Sequence, residues 1–273
     1  MKDIIYKLQD LTHLSWNEKT VTSGTGGTFL KSKVETSRSP IYYKLSRYDR
    51  YMGIYGHESV NEVIASRLLD LLNIPHVPYR LIHAKVRVDD VEYDTWVSES
   101  RDYRLANERR QQFETYYALY VNDGESPLDF ARAHGWSAQI CQMMAFDYLI
   151  INRDRHGANF EVVFRDDEVE FSPLYDHGLS LVCGCCDDEQ AVKKFDAMSD
   201  HRSNNFVGSR YSLEENLSLV SKGLFKIPRT QQDVICVLDG LDRVLPQVHL
   251  EKINEILCCR LRHLMELGII EVE

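Results

Sequence analysis

No stretch of this chain is apolar for long enough to cross a bilayer. The opening segment, MKDIIYKLQDLTHLSW, has no extended apolar core and no small-residue cleavage site, so it does not read as a secretory leader. An excess of basic residues is missing too. The net charge of −10 sets the chain against general nucleic-acid binding and against anionic membranes, since both would repel it. There is no internal repeat and no low-complexity tract. The seven cysteines are odd in number and irregular in spacing, in a chain too long to need staples. They read as reduced thiols of a cytoplasmic protein. Cys183-Gly184-Cys185-Cys186 has no second pair at zinc-ligand distance and reads as small residues in a loop.

What is present is ordinary for a globular protein: 273 residues, 44% hydrophobic and 27% charged, enough for one large or two modest domains. Residues 41–47, 79–88 and 91–98 are rich in β-branched and aromatic side chains and predict strands. Between them, Ser59 to Leu72 has apolar residues at helical spacing, with Ser59-Val60-Asn61-Glu62 in the form of a capping box and Pro75 beyond the end. After residue 100 the spacing turns helical, at 127–134, 137–151, 213–224, 230–244 and 248–267. One hairpin is embedded there: FEVVF (160–164) and VEFSPL (169–174), joined by a turn. The fold class is therefore α+β and two-lobed: residues 1–98 form a small β-rich lobe with one helix, and 99–273 form a larger helical lobe with the hairpin. Residues 178–210 lack steady periodicity and are expected to be a functional loop or unstructured.

The densest polar chemistry is NRDRHGAN (152–159), directly after the apolar run ICQMMAFDYLII. The hairpin begins at Asn159 and returns to Tyr175-Asp176-His177-Gly178, so its open ends bring Asn159 and Asp176 together. Asp154 lies five residues before Asn159. One carboxylate and one amide suffice for Mg2+, which keeps several waters, and a second carboxylate near an acceptor hydroxyl completes a phosphoryl-transfer site. The order Asp154, Asn159, Asp176-His177-Gly178 matches that of protein kinases.

The remaining parts can be sought on that basis. Ser23-Gly24-Thr25-Gly26-Gly27-Thr28 is a glycine-rich segment able to bring backbone N–H groups to phosphates. Lys44 is a charged residue inside an apolar strand, either a phosphate-gripping lysine or a solvent-facing edge position. Glu62, eighteen residues on, is the candidate helix glutamate, with Glu58 its rival. Trp96-Val97-Ser98-Glu99-Ser100 falls where the lobes meet and is placed to offer backbone groups of Val97, Ser98 and Glu99 to an adenine ring.

With these residues in place the sequence resembles the HipA-like serine/threonine kinases. The resemblance is carried by SGTGGTFLK (23–31), YYKLS (42–46), ESVNEVIASRLLDLL (58–72), FDYLIINRDRHGAN (146–159) and LYDHG (174–178). It implies a fold related to protein and phosphoinositide kinases, with ATP and Mg2+ as cofactors and a protein hydroxyl as acceptor. On the matching positions it implies Lys44 on the ATP phosphates, Asp154 as the catalytic Asp, and Asn159 and Asp176 on magnesium. His156 would orient the loop or touch the γ-phosphate, or be a buried structural histidine. The full-length toxins of the family carry a further N-terminal β subdomain that does not fit before the glycine-rich segment here, which leaves an antitoxin-like partner open. The rival readings are a small-molecule or phosphoinositide kinase and a nucleotide-binding regulator that no longer transfers phosphate.

Overall fold

The computed structural model describes residues 3–18, 28–104, 108–227 and 236–272. The first lobe is built on a seven-stranded sheet: β1 (Ile4–Asp10), β2 (Asn17–Glu18), β3 (Thr28–Val34), β4 (Ile41–Asp49), β5 (Gly53–Tyr55), β6 (Tyr79–Val88) and β7 (Val91–Arg101). The order is β1-β6-β7-β4-β3-β2, with β5 on the end of β4. All pairings are antiparallel except β1 with β6. Helix α1 (Glu58–Leu71) lies against β4, β6 and β7.

Strand alternation decides which way β4 points its chemistry. Leu45 is closed into a small core with Leu30, Ile82, Ala84, Val86 and Val97. Its neighbours Lys44 and Ser46 therefore face the other side, toward α1. That helix is itself enclosed, with all but the last two of its fourteen residues buried. Its apolar residues Val63, Ile64, Leu68 and Leu69 join the main core, which continues into the second lobe. Arg67 locks the helix from behind, on Asp3 (2.6 Å) and the carbonyls of Val237 and Asp239.

β7 runs past the expected lobe boundary at residue 98 to Arg101, because it stays paired with β4 as far as Ile41, and the Asp102 N–H still bonds the Pro40 carbonyl. The second lobe opens with β8 (Arg109–Gln112), α2 (Phe113–Tyr120), α3 (Pro127–Ala133) and α4 (Ser137–Leu149). The hairpin follows as β9 (Glu161–Arg165) and β10 (Glu168–Phe171), and β8 adds to β9 to make three strands. Then come α5 (Glu189–Lys194), α6 (Leu213–Leu217), β11 (Phe225–Ile227), α7 (Gln247–Glu266) and β12 (Ile270–Val272).

The helix expected over 213–224 stops at Leu217, where the chain tightens into turns and then enters β11. Of the helix expected over 230–244, residues 230–235 lie outside the described residues and the rest forms two short 3-10 turns. The aperiodic stretch 178–210 is packed. Leu181, Val182, Cys183, Val192, Ala197 and Val207 are buried in it, and Ser180 and Ser203 are fully enclosed. Among the described residues no helix is long and apolar enough to cross a membrane.

Candidate active site

Lys44, on the α1-facing side of β4, places its Nζ 2.7 Å from Glu62 Oε1 and in contact with Asp176 Oδ1. The expected capping box does not form. Glu58 is already helical, so Ser59 sits inside the first turn, where its Oγ donates to the Lys44 carbonyl (3.0 Å). Glu62 is thereby free to serve Lys44, and its Oε2 accepts the His177 N–H (2.8 Å). The rival Glu58 is occupied by Arg47 at 2.9 Å. Burial disfavours the Lys44 ammonium, but Asp176 and Glu62 more than offset it and hold the group well above the ordinary lysine value.

Asp176 follows β10 in the left-handed region, at φ +60°, which Asp tolerates better than most residues. Gly178 lets this turn pass under α1: an added Cβ would lie 3.3 Å from the Glu58 backbone and from the Glu62 carboxylate. Burial pushes the Asp176 carboxyl up, but Lys31 and Lys44 hold it well below the ordinary carboxylate range. Lys31 Nζ stands 3.3 Å from Asp176 Oδ2. Lys31 falls within SGTGGTFLK, and only the β3–β4 register brings it directly opposite Lys44.

The segment 152–159 is organised around a buried ion pair. Arg155 and Asp147 are 0% and 1% exposed and meet through two bonds, 2.9 and 2.8 Å. The third nitrogen of Arg155 donates to the carbonyls of Asn159 and Tyr175, both at 3.0 Å. It therefore ties the start of the hairpin to its return and holds Asn159 beside Asp176 on one cleft wall. Arg155 was not singled out from sequence, because a buried arginine looks like any other until its carboxylate is located.

Asn159 Nδ2 donates to the Asp154 carbonyl (2.8 Å), which leaves Oδ1 to accept or ligate. The Asp154 carboxylate takes a bond from Asn204 Nδ2 (3.0 Å) on Oδ1, and His156 Nε2 stands 3.7 Å from its Oδ2. His156 Nδ1 accepts the Ala158 N–H (3.2 Å), so Nε2 carries the proton. That nitrogen is buried without a hydrogen-bond partner.

Along the expected adenine strand the side chains part. Val97 is in the small core, and Glu99 pairs with Arg80 at 3.1 Å. Ser98 lines the cleft, as do Ser100, Arg101, Asp102 and Tyr103. The side chains of Val97 and Glu99 thus point away from the cleft, which leaves their backbone groups as what they would offer a base, and the lining continues to Tyr103. Gly24, Thr25, Gly26 and Gly27 lie outside the described residues. Thr28 opens β3, joined antiparallel to β2 on one side and β4 on the other.

Among the described residues no group of three or more His, Cys, Asp or Glu gathers to hold a metal, and Cys141, Cys183, Cys185, Cys186, Cys258 and Cys259 are free thiols. An all-protein cage is not what magnesium with phosphate requires. The Asp176 carboxylate and the Asn159 amide oxygen are hard donors that fit it.

The fold is that of a kinase-like two-lobed α+β protein. The particular likeness is to the proinflammatory kinase CtkA of Helicobacter pylori. It has a TM-score of 0.62 and 14% identity over 95% of this chain and 96% of that one. The Shewanella oneidensis toxin–antitoxin protein HipA, solved with HipB and operator DNA, aligns at TM-score 0.39 and 15% identity, over 93% of this chain and 59% of that one. WaaP, solved with acyl carrier protein, aligns at 0.39 and 12%, over 94% and 88%. No family model and no curated protein matches the sequence.

Proposed function

We propose that the protein transfers the γ-phosphoryl group of ATP to a serine or threonine hydroxyl of a protein, in the manner of the HipA-like kinases. The observation that carries this reading is Lys44 held between Glu62 and Asp176 on the same cleft that Asn159 lines. Lys44 and Lys31 hold an ammonium pair against Asp176 that can pass to phosphate oxygens when that carboxylate takes up a cation. Asn159 and Asp176 are the residues that would hold Mg2+, and the ion would neutralise charge on the phosphates. Asp154 Oδ2 takes the proton of the acceptor hydroxyl as its oxygen bonds to phosphorus and ADP leaves. His156, with its unpartnered Nε2–H, can donate to a phosphate oxygen beside Asp154. Positioning and fixed charge supply most of the rate. The free cysteines fit a reducing compartment such as the cytoplasm.

Thermal melting with and without MgATP tests binding, since a ligand at a hundred times its Kd adds roughly 2.7 kcal/mol. Incubating the protein with a cell lysate and γ-labelled ATP, followed by mass spectrometry, tests transfer and names the acceptor. No thermal shift at millimolar MgATP removes the nucleotide reading. A shift without any transfer leaves a nucleotide-binding regulator.

A further inference from the structure

The Asp154 carboxylate has two oxygens, and among the described residues only one of them takes a side-chain hydrogen bond. Asn204 Nδ2 lies 3.0 Å from Oδ1. A carboxylate at neutral pH only accepts, so the amide must present its NH₂. Asn204 comes from the aperiodic stretch 178–210, fifty residues away, and nothing in its own sequence marks it.

The geometry points to Asn204 as the positioning residue for Asp154: it fixes Oδ1 and so reserves Oδ2 for the acceptor proton. This inference rests on the phosphoryl-transfer reading above.

The donor is held on both flanks. The Arg155 N–H donates to the Ser203 carbonyl (3.3 Å), and the Phe206 N–H donates to the Arg155 carbonyl (3.0 Å). The loop bearing Asn204 is thus bonded on either side of it to the residue that follows Asp154. Buried side chains close the loop on itself. Ser203 Oγ donates to the Ser209 carbonyl (2.6 Å), and Asn216 Oδ1 accepts the Ser209 N–H (2.6 Å). Asn205 Oδ1 accepts the N–H groups of Val207 and Gly208 at 2.9 and 3.0 Å. Ser203, Asn205 and Asn216 are at most 1% exposed. The bond to Asp154 is therefore made by a preorganised donor.

Asn204 also has φ +41°, in the left-handed region. Asn, Asp and Gly tolerate that backbone, and most other residues do not. A residue placed there only for its backbone can be exchanged among these three without consequence. A residue placed there for its amide donor cannot.

That difference supplies the test. Wild type, Asn204→Gly and Asn204→Asp are compared for melting temperature, for MgATP affinity by a fluorescent nucleotide, and for transfer of labelled γ-phosphate to casein, to the protein itself and to water. The glycine variant removes the donor and keeps the backbone. The aspartate variant keeps size and backbone but turns a like charge toward Asp154. The expected result is wild-type melting and wild-type nucleotide affinity in the glycine variant, with transfer down about 10- to 100-fold, the worth of a hydrogen bond to a charged group. The aspartate variant is expected to be slower still. Two variants at the wild-type rate would leave Asn204 as a turn residue and overturn the proposal. So would a fall in nucleotide affinity that matches the fall in rate. A wild type that passes phosphate to none of the three acceptors sinks the kinase reading itself, before any variant is measured.

Discussion

Lys44 and Glu62 meet at 2.7 Å between strand β4 and helix α1, and the same glutamate holds the His177 N–H with its other oxygen. One fully buried carboxylate thus joins the phosphate-side lysine to the turn that carries Asp176. In Glu62→Gln the amide retains size but loses charge, and Lys44 keeps Asp176 as its charged partner. Transfer should fall at least tenfold, with a stability loss of about 1–3 kcal/mol. Urea unfolding measured beside the transfer rate separates the two effects. A variant at the wild-type rate would make the pair structural only.

Asp176 is shared by two ammonium groups, from Lys31 and Lys44. Asp176→Asn should weaken magnesium more than nucleotide, because a neutral amide replaces the charged ligand. The magnesium concentration for half-maximal transfer should rise, and high magnesium should restore part of the rate. Lys31→Met should act differently, weakening ATP relative to adenosine without raising the magnesium requirement. Titrations of both variants with magnesium and with each nucleotide check this. An unchanged magnesium requirement in Asp176→Asn would exclude it as a ligand.

The polar cluster, the hairpin and α1 were legible because each is a local pattern: a spacing, an alternation or a 3.6 period. What escaped depends on distant partners. β1 pairs in parallel with β6, Ile4 opposite Leu81 and Asp10 opposite Lys85, and nothing local marks a parallel partner. The run of α2, FETYYALY, does space Phe113, Tyr116, Tyr117 and Tyr120 helically, but it is short and its aromatics favour strands equally, so the buried contacts of Phe113 and Tyr116 decide it. Residues 178–210 are ordered by buried Ser and Asn side chains bonding backbone, which leaves no hydrophobic period to read. The capping box at Ser59 was a true local signal overridden by tertiary partners, since Lys44 and His177 claim what the cap would have used.

Arg155 and Asp147 test the scaffold rather than the chemistry. Both are fully buried and doubly bonded, and Arg155 also closes the hairpin base. Arg155→Met strands a buried aspartate and should cost about 3–5 kcal/mol. Chemical denaturation reads this directly. A loss below 1 kcal/mol would mean that Asp147 finds water or another partner.

Acid should destabilise the fold well before carboxylates titrate. Burial, then the neighbours His249 and Arg47, push His57 down to about 3, and burial with Arg155 holds His177 well below its ordinary value. Both are neutral when folded, while the unfolded chain protonates them near pH 6.5. Between pH 6.5 and about 3 the unfolded state therefore binds more protons, and stability falls as pH falls. Each histidine should remove about 2 kcal/mol by pH 5. In the same region burial raises the Glu58 carboxyl against the pull of Arg47. Urea midpoints at pH 7, 6 and 5 check the slope, and His57→Phe should flatten it by one proton. A flat profile down to pH 5 would show that these imidazoles are not sealed from water.

Asp154 separates mechanism from scaffold most sharply. Its side chain is 16% exposed, with Oδ1 held by Asn204 and its backbone carbonyl held by Asn159. Asp154→Asn keeps the size of the group and removes the charge and the base. Lys44, Asn159 and Asp176 are untouched, so MgATP binding should survive. Transfer should fall on the order of 10²–10⁴-fold, the range for a positioned acid–base group. If Asp154 serves instead as a turn or cap residue, the loss appears in stability, about 1 kcal/mol, with the rate preserved. Nucleotide affinity, melting temperature and transfer rate on this one variant decide between them. A variant that melts early and still transfers phosphate at the wild-type rate would make Asp154 a scaffold residue, and the acceptor proton would need another destination.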